Sequence, residues 1–394
     1  MKMHKKLHTE HKRKRSLPTQ LIILFILLST TFISVLSILL LVVGSCTHTR
    51  LFALSILMIS ILIEKETISY KQRQSPRLST ILITFAIAGT LWVLAIWTAP
   101  SGKVQPDSQL TSIYEDNNHF SHLSPAWLVD EADQTKLGGL LLPWIDPFMD
   151  RQQGRRFATT FNNTYTALSK SDDFVTIGSV MGEAYRDMFL LPNTKGRHTY
   201  LYIPEKTSGK QLPVIVFLHG WLGNMKAYMW TLSRFAEEHD FIVICPTFRN
   251  GLWKGEDAEN TLKWLSNVIY NEPMCNPDQI IVIGLSNGGT GVTRWAKVLP
   301  ETFTGLVFVS PVLKHTDDTD FISAVGTRPI LIVHGGRDTR IPPSYVNTAV
   351  NKMRKNNIHV HSICYPEEDH VLILSSQKQF HTDLLKWMEQ WDIN

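Results

Sequence analysis

Ile280-Ile281-Val282-Ile283-Gly284-Leu285-Ser286-Asn287-Gly288-Gly289 is the stretch on which the fold turns. Four β-formers lead into Gly-Leu-Ser-Asn-Gly, and Thr290 to Leu299 behind them can form a helix. The pattern predicts a strand, a tight turn and a helix, with Ser286 at the apex. A side chain at Gly284 or Gly288 would crowd the crossing of strand and helix, and the sharp turn forces the apex residue into strained backbone angles. Such a turn lifts the Ser286 hydroxyl clear of the sheet. It also sets free backbone N–H groups and the positive end of a helix dipole beside it. G-x-S-x-G alone recurs by chance, so a base, an acid and an oxyanion donor have to be found elsewhere in the chain.

Outward from this stretch, apolar runs at Val214–Leu218, Phe241–Cys245, Ile280–Ile283, Leu306–Val309, Ile330–Val333 and Ile358–Ile363 alternate with helix-compatible segments such as Met225–His239 and Thr261–Ile269. Near-continuous Val/Ile runs mark strands buried on both faces, and the alternation marks βαβ units in a mostly parallel sheet. Upstream, Phe174–Ile177, Tyr185–Leu191, Thr199–Ile203 and Pro213–Leu218 read as strands. The turn-rich connectors Pro192–Gly196 and Glu205–Lys210 between them suggest an antiparallel edge leading into the sheet. Ligands of such sheets bind at the carboxyl ends of the strands, so the chemistry belongs just after each run.

After Leu218 comes His219-Gly220-Trp221-Leu222-Gly223-Asn224. This loop can offer the Trp221 N–H to a developing oxyanion, with the Asn287 N–H as second donor. His219 is either a catalytic imidazole or a brace for its loop; a base further along the chain favours the brace. After Val333 comes His334-Gly335-Gly336-Arg337-Asp338-Thr339-Arg340-Ile341-Pro342, which sets Asp338 where it can orient an imidazole. Asp317, Asp318 and Asp320 are the alternative acids, in a segment that reads as a solvated loop. His370 follows the last strand and precedes a C-terminal helix, Gln377 to Trp391, within reach of Ser286 and Asp338. His359 and His361 share a strand face but have no third ligand, so they read as strand surface and no metal site is expected. Phe248, Arg249 and Trp253, in the loop Pro246–Gly255, are expected to line the acyl or alcohol pocket.

The order Ser286…Asp338…His370, the serine turn and the His-Gly loop after an early strand together resemble the α/β-hydrolase superfamily, over roughly Phe174 to Asn394. His219-Gly220-Trp221, Gly284-Leu285-Ser286-Asn287-Gly288-Gly289 and Gly335-Gly336-Arg337-Asp338 look like its esterase, poly-hydroxyalkanoate-depolymerase-like and dienelactone-hydrolase-like branches. Prolyl-oligopeptidase-like peptidases share this turn and acid layout, and the expectation against them is that 394 residues leave no room for their β-propeller. The resemblance implies a serine hydrolase that cleaves a small-molecule, lipid or polymer ester through an acyl-enzyme, without metal or organic cofactor; it covers none of the apolar N-terminal segments, which are read as a membrane anchor. Competing readings are a peptidase, an envelope acyltransferase and a catalytically silent tethered binding module.

The remaining chain supplies the tether. Residues 1–16 carry Lys2, Lys5, Lys6, Lys12, Arg13, Lys14 and Arg15 against Glu10, a net of +6 within a total of +4, which leaves the rest slightly acidic. That removes the case for a nucleic-acid surface, which needs a basic face on the folded domain. Leu21–Val43 and Leu78–Thr98 have spanning length, the latter with Trp92 and Trp97 suited to an interface; Leu51–Ile63 is short and requires Arg50 to snorkel. Basic residues at 1–16 and 64–77 place these segments in the cytoplasm. The expectation is three spans in a plasma or inner membrane, with the catalytic domain extracytoplasmic. If the short run does not cross, the side reverses. Val43-Gly44-Ser45-Cys46 loosely resembles a lipobox, but two further apolar stretches follow it. The expected organisation is a basic head at 1–16, a transmembrane region at 17–99, a linker with a lid or packing segment at 100–172, and the catalytic domain at 173–394. Four cysteines are too few for a disulfide framework, though one bridge among Cys245, Cys275 and Cys364 stays open.

Overall fold

The computed structural model describes residues 16–72, 74–102, 108–115, 125–191, 197–205, 209–223 and 226–393. Most of the basic head, the connector Pro192–Gly196, part of the 100–124 linker and the end of the His-Gly loop at Asn224 lie outside the described residues. The chain divides into two units, Met1–Trp97 and Thr98–Asn394.

The first unit contains α1 (Leu17–Val43), α2 (Thr47–Lys71) and the body of α3 (Leu78–Thr98). Among the described residues α1 and α3 are long and apolar enough to cross a membrane. Where the sequence reads a short apolar run, α2 is one 25-residue helix whose ends carry Arg50, Glu64, Lys65, Glu66 and Lys71. Arg50 Nε donates to Gly44 O at 2.9 Å, so its guanidinium caps the end of α1. Small polar and alanine side chains let the helices approach closely. Ser34 Oγ donates to Ser60 Oγ at 3.0 Å, Ser55 Oγ donates to Ala88 O at 2.9 Å, and Phe52 meets Trp92 edge-on at 5.1 Å.

The second unit runs β1 (Leu110–Tyr114), α4 (Pro125–Leu128), α5 (Glu131–Ile145), α6 (Arg151–Leu168), α7 (Asp172–Thr176), α8 (Met181–Met188), β2 (His198–Tyr202), β3 (Leu212–Leu218), α9 (Lys226–His239), β4 (Ile242–Thr247) and α10 (Gly255–Asn271). It continues β5 (Cys275–Leu285), α11 (Gly288–Val298), β6 (Gly305–Val309), α12 (Thr319–Val325), β7 (Ile330–Gly335), α13 (Pro343–Lys355), β8 (Val360–Tyr365), α14 (Leu372–Ser375) and α15 (Gln377–Gln390).

The strands form one sheet in the order β1-β2-β4-β3-β5-β6-β7-β8. β2 pairs antiparallel with β1 and β4, and every pair from β4 to β8 is parallel. Alternation with period two sends Ile215, Phe217, Ile281, Ile283, Val307 and Val333 to one face. Val214, Val216, Ile280, Val282, Phe308 and Ile332 go to the other. Helices cover both faces, and each such side chain stabilises by ~1.5–3 kcal/mol on leaving water.

Two sequence expectations fail here. Phe174–Ile177 and Tyr185–Leu191 are not strands: they contribute to the short helices α7 and α8. The linker contains the outermost strand, since Leu110–Tyr114 registers against Tyr202–His198, so the sheet begins well before residue 173. The connections place β4 on one side of β3 and β5 on the other. This reversal opens a crevice at the carboxyl ends of β3 and β5. The His219 loop and the serine turn emerge there.

Candidate active site

Ser286 sits between β5 and α11 with φ +54°, the strained region that non-glycine residues rarely occupy. Its N–H donates to Val309 O at 3.0 Å, and its carbonyl accepts from the N–H groups of Gly289 and Val312 at 2.9 Å each. These bonds hold the strain in place. At Gly288 a Cβ would lie 1.9 Å from Leu218 O, and at Gly220 it would lie 2.9 Å from Ser286 Cβ. The Gly220 backbone therefore lies against Ser286, and the Gly288 backbone lies against the end of β3 at Leu218. Among the described residues neither the Trp221 nor the Asn287 N–H donates to another group of the chain, which leaves both free for an oxyanion.

Asp338 follows β7 and is buried. Its Oδ1 accepts from the N–H groups of Arg340 and Ile341, both at 2.9 Å. Its Oδ2 is 2.7 Å from His370 Nδ1. With one oxygen anchored to backbone, the other is aimed at the imidazole. His370 and Ser286 line one cavity of about 220 Å³. The sequence-predicted nucleophile, acid and base thus reach a common site from the ends of β5, β7 and β8.

His219 is the brace. It is buried, with Nδ1 at 2.7 Å from Gly220 O and Nε2 accepting the Phe248 N–H at 3.0 Å. A ring that accepts at Nε2 carries its proton on Nδ1. Burial, opposed by the Gly220 bond, holds its pKa down to about 4, so the ring is neutral at pH 7.

The expected pocket residues lie elsewhere. Phe248 and Trp253 are buried and stack at 4.7 Å, and Trp253 Nε1 donates to His219 O at 2.8 Å. They support the oxyanion loop from behind. Arg249 pairs with Asp257 at 2.8 Å and with Asp187 at 3.6 Å. None of the three lines the cavity. Nor are Asp317 and Asp318 spare acids: they pair with Lys352 and Lys297, which lower their carboxyl pKa values. No disulfide joins Cys245, Cys275 or Cys364, so the open bridge does not form.

The walls come instead from α5, α6 and α8, which cap the crevice. Leu142, Phe157, Phe161 and Met181 make the cavity largely apolar, and Gln134, Tyr185, Asp146 and Arg340 add polar groups. Tyr185 OH donates to Gln134 Oε1 at 2.5 Å, while Gln134 Nε2 donates to Val129 O at 2.7 Å, which fixes the amide. Arg340 pairs with Asp146. The cap is fastened at its root by Glu131, which accepts from Tyr165 OH at 2.7 Å and from Lys226 N–H at 2.9 Å. Burial raises the Glu131 carboxyl pKa, against the opposing pull of Lys226 and Tyr165. Within residues 100–172, α5 and α6 pack over the crevice. Its residues carried no sequence signal beyond an apolar stretch broken by Gly and Pro. Arg340 could have been suspected only from its place two residues after Asp338.

Residues 320–392, which include Asp338 and His370, match the Prolyl oligopeptidase family. An uncharacterized protein of Escherichia coli, YfhR, is 25% identical over 167 residues, covering 36% of this chain and 58% of its own. Dipeptidyl-peptidase 5 of Porphyromonas gingivalis is 23% identical over 238 residues, covering 48% of this chain and 35% of its own. The chain therefore spans about half or less of the curated relatives it matches. Among solved structures, Staphylococcus aureus fluorophosphonate-binding serine hydrolase F is similar with a TM-score of 0.42 and 16% identity, covering 51% of this chain and 93% of its own. Pyrococcus horikoshii acylaminoacyl peptidase gives 0.42 and 14%, covering 50% and 40%. The strand order, the two antiparallel pairs at one edge and the serine turn after β5 define an α/β-hydrolase fold. Within that class the match of residues 320–392 to the Prolyl oligopeptidase family supports a serine hydrolase.

Proposed function

We propose that the chain cleaves carboxylic esters by two-step acyl transfer, with Ser286 as nucleophile, His370 as base and Asp338 as its orienting acid. The observation that carries this reading is the contact of His370 Nδ1 with Asp338 Oδ2 at 2.7 Å, on the cavity that also holds Ser286. That bond puts the imidazole proton on Nδ1, which leaves Nε2 free to accept the Ser286 proton as its oxygen attacks the ester carbonyl. The carboxylate stabilises the imidazolium that results. The N–H groups of Trp221 and Asn287 donate to the tetrahedral oxyanion, each contributing about 3 kcal/mol. The imidazolium protonates the leaving alcohol. Water, deprotonated at His370, then releases the acid and restores the serine.

The largely apolar cavity suits an acyl chain better than a charged segment. A second reading, peptide cleavage, is favoured by the Prolyl oligopeptidase match and by the dipeptidyl-peptidase relative. A panel of p-nitrophenyl esters and peptide amides, run on wild type and Ser286→Ala, decides between them. Ester turnover that vanishes in Ser286→Ala supports the proposal, whereas turnover confined to amides sinks it in favour of the peptidase. Absence of labelling by a fluorophosphonate probe would sink both.

The tether is part of the same proposal. We propose that α2 crosses together with α1 and α3; the basic residues before α1 and at 64–77 then put the catalytic unit on the extracytoplasmic side. Cys364 is exposed and provides a test. A membrane-impermeant maleimide should label it in intact cells; labelling only after lysis would reverse the orientation.

A further inference from the structure

The guanidinium of Arg156, on the cap helix α6, grips the segment immediately before His370. Its Nη1 donates to Glu367 O at 3.1 Å, its Nη2 to Glu368 Oε2 at 2.6 Å, and its Nε lies 3.5 Å from Asp369 Oδ2. The same segment is fixed from the acid side. Arg337 N–H donates to Glu368 O at 2.9 Å, and a Cβ at Gly335 would lie 2.4 Å from that oxygen. The cap also reaches the acid loop, since Thr339 Oγ1 donates to Phe148 O at 2.9 Å and accepts from Gln153 Nε2 at 3.1 Å.

Resting on the triad proposed above, we infer that Arg156 is a positioning residue for His370: it fixes the base loop and offsets the carboxylates that flank the imidazole. Two physical consequences separate this role from plain stability. The first is geometric. A planar fork that binds Glu367 O and Glu368 Oε2 together fixes the direction of the backbone leading into His370, which a point charge does not. The second is electrostatic. The charged groups around His370 are Glu367, Glu368 and Asp369 on its own loop, Asp338, Arg337 and Arg340 on the acid loop, and Asp146 and Arg156 on the cap. Arg337 pairs with Glu367 and Arg340 with Asp146, which among the described residues leaves Arg156 as the cation facing Glu368 and Asp369. Removing its charge favours the imidazolium, which cannot accept the serine proton.

The test uses the full chain in detergent with a p-nitrophenyl ester. In Arg156→Gln, kcat is expected to fall about 10- to 100-fold with little change in KM. The acid limb of the kcat/KM profile is expected to move up by about half a pH unit or more. In Arg156→Lys, which keeps the charge and loses the fork, kcat falls but the limb stays in place. A Gln variant with wild-type kcat and limb overturns the inference. So does a Lys variant whose limb moves as far as that of Gln. If Arg156→Gln does not fold, Arg156→Lys and Glu368→Gln carry the test. Glu368→Gln removes a flanking anion, so its limb must move down; an unmoved or raised limb overturns the inference. Fluorophosphonate labelling of wild type, absent in Ser286→Ala, separates failure of this inference from failure of the triad.

Discussion

His219→Gln tests whether the oxyanion loop is held by a neutral buried imidazole. In the folded protein burial keeps the His219 pKa at about 4, against 6.5 for an ordinary histidine. The folded state thus binds the neutral form, while the unfolded chain takes up a proton below pH 6.5. The stabilisation is present in full above that value and is lost as pH falls toward 4. Between pH 7 and pH 5 the loss is about 2 kcal/mol, growing to about 3 kcal/mol below pH 4. Glutamine can imitate both bonds, its amide N–H donating to Gly220 O and its carbonyl accepting the Phe248 N–H, but it does not titrate. Any misfit costs the variant the same at every pH. Half-buried His381, also held to about 4 mainly by burial, adds a similar slope to both proteins and cancels in the difference. The assay is urea unfolding followed by tryptophan fluorescence in detergent, on both proteins at pH 5, 6 and 7. The advantage of wild type over variant should shrink by about 2 kcal/mol from pH 7 to pH 5. A difference that stays constant over that range would falsify the reasoning.

Asp338→Asn should preserve the fold and lower kcat by about 10⁴-fold. Its amide oxygen would keep the Arg340 and Ile341 N–H bonds, so its NH₂ would face His370 Nδ1 and drive the proton to Nε2. Normal turnover, read by burst kinetics, would remove Asp338 from the relay. Trp253→Ala should cost about 3–5 kcal/mol, as for other large buried aromatics, yet leave relative rates across acyl chain lengths unchanged. A shifted chain-length profile would return Trp253 to the pocket. Gly288→Ala should abolish fluorophosphonate labelling, because its Cβ would fall 1.9 Å from Leu218 O and force the serine turn off the His219 loop. Labelling at the wild-type rate would contradict that contact.

The parallel sheet and the places of Ser286, Asp338 and His370 after its strands were legible because each rests on a local signal. Doubly buried strands need unbroken Val/Ile runs, and a strained serine turn needs small residues around it. Phe174–Ile177 and Tyr185–Leu191 misled because short, mostly apolar runs fit a strand and a short helix equally. Ser171 ahead of Asp172 and Asp173 was the helix signal that went unused. Leu110–Tyr114 escaped because an edge strand buries little: Leu110 is buried and its other residues are only half-covered. The pocket failed for a different reason. A loop at the right strand end supplies aromatic residues, but chain position does not say whether they face the crevice or its support. Trp253 faces the support because its indole N–H has a buried partner in His219 O. Cap residues 131–188 reach the site only through tertiary contacts, which no local pattern records.

The two halves of the relay are therefore held by different physics. The serine turn is locked by close backbone approach, at Gly220 against Leu285 O and Ser286 Cβ and at Gly288 against Leu218 O. Such contacts tolerate no added atom, so this half should fail completely or not at all. His370 and Asp338 lie on loops joined to the cap by Arg156, Thr339 and the Arg340–Asp146 pair. Partly exposed charge pairs weaken by degrees with salt and pH. This half can be adjusted continuously. Raising the cap as a free lid would break the bonds that hold the base and acid loops. Substrate should accordingly enter through the mouth of the cavity with the cap seated, and ionic strength should act on kcat through the base and acid loops while the nucleophile stays fixed.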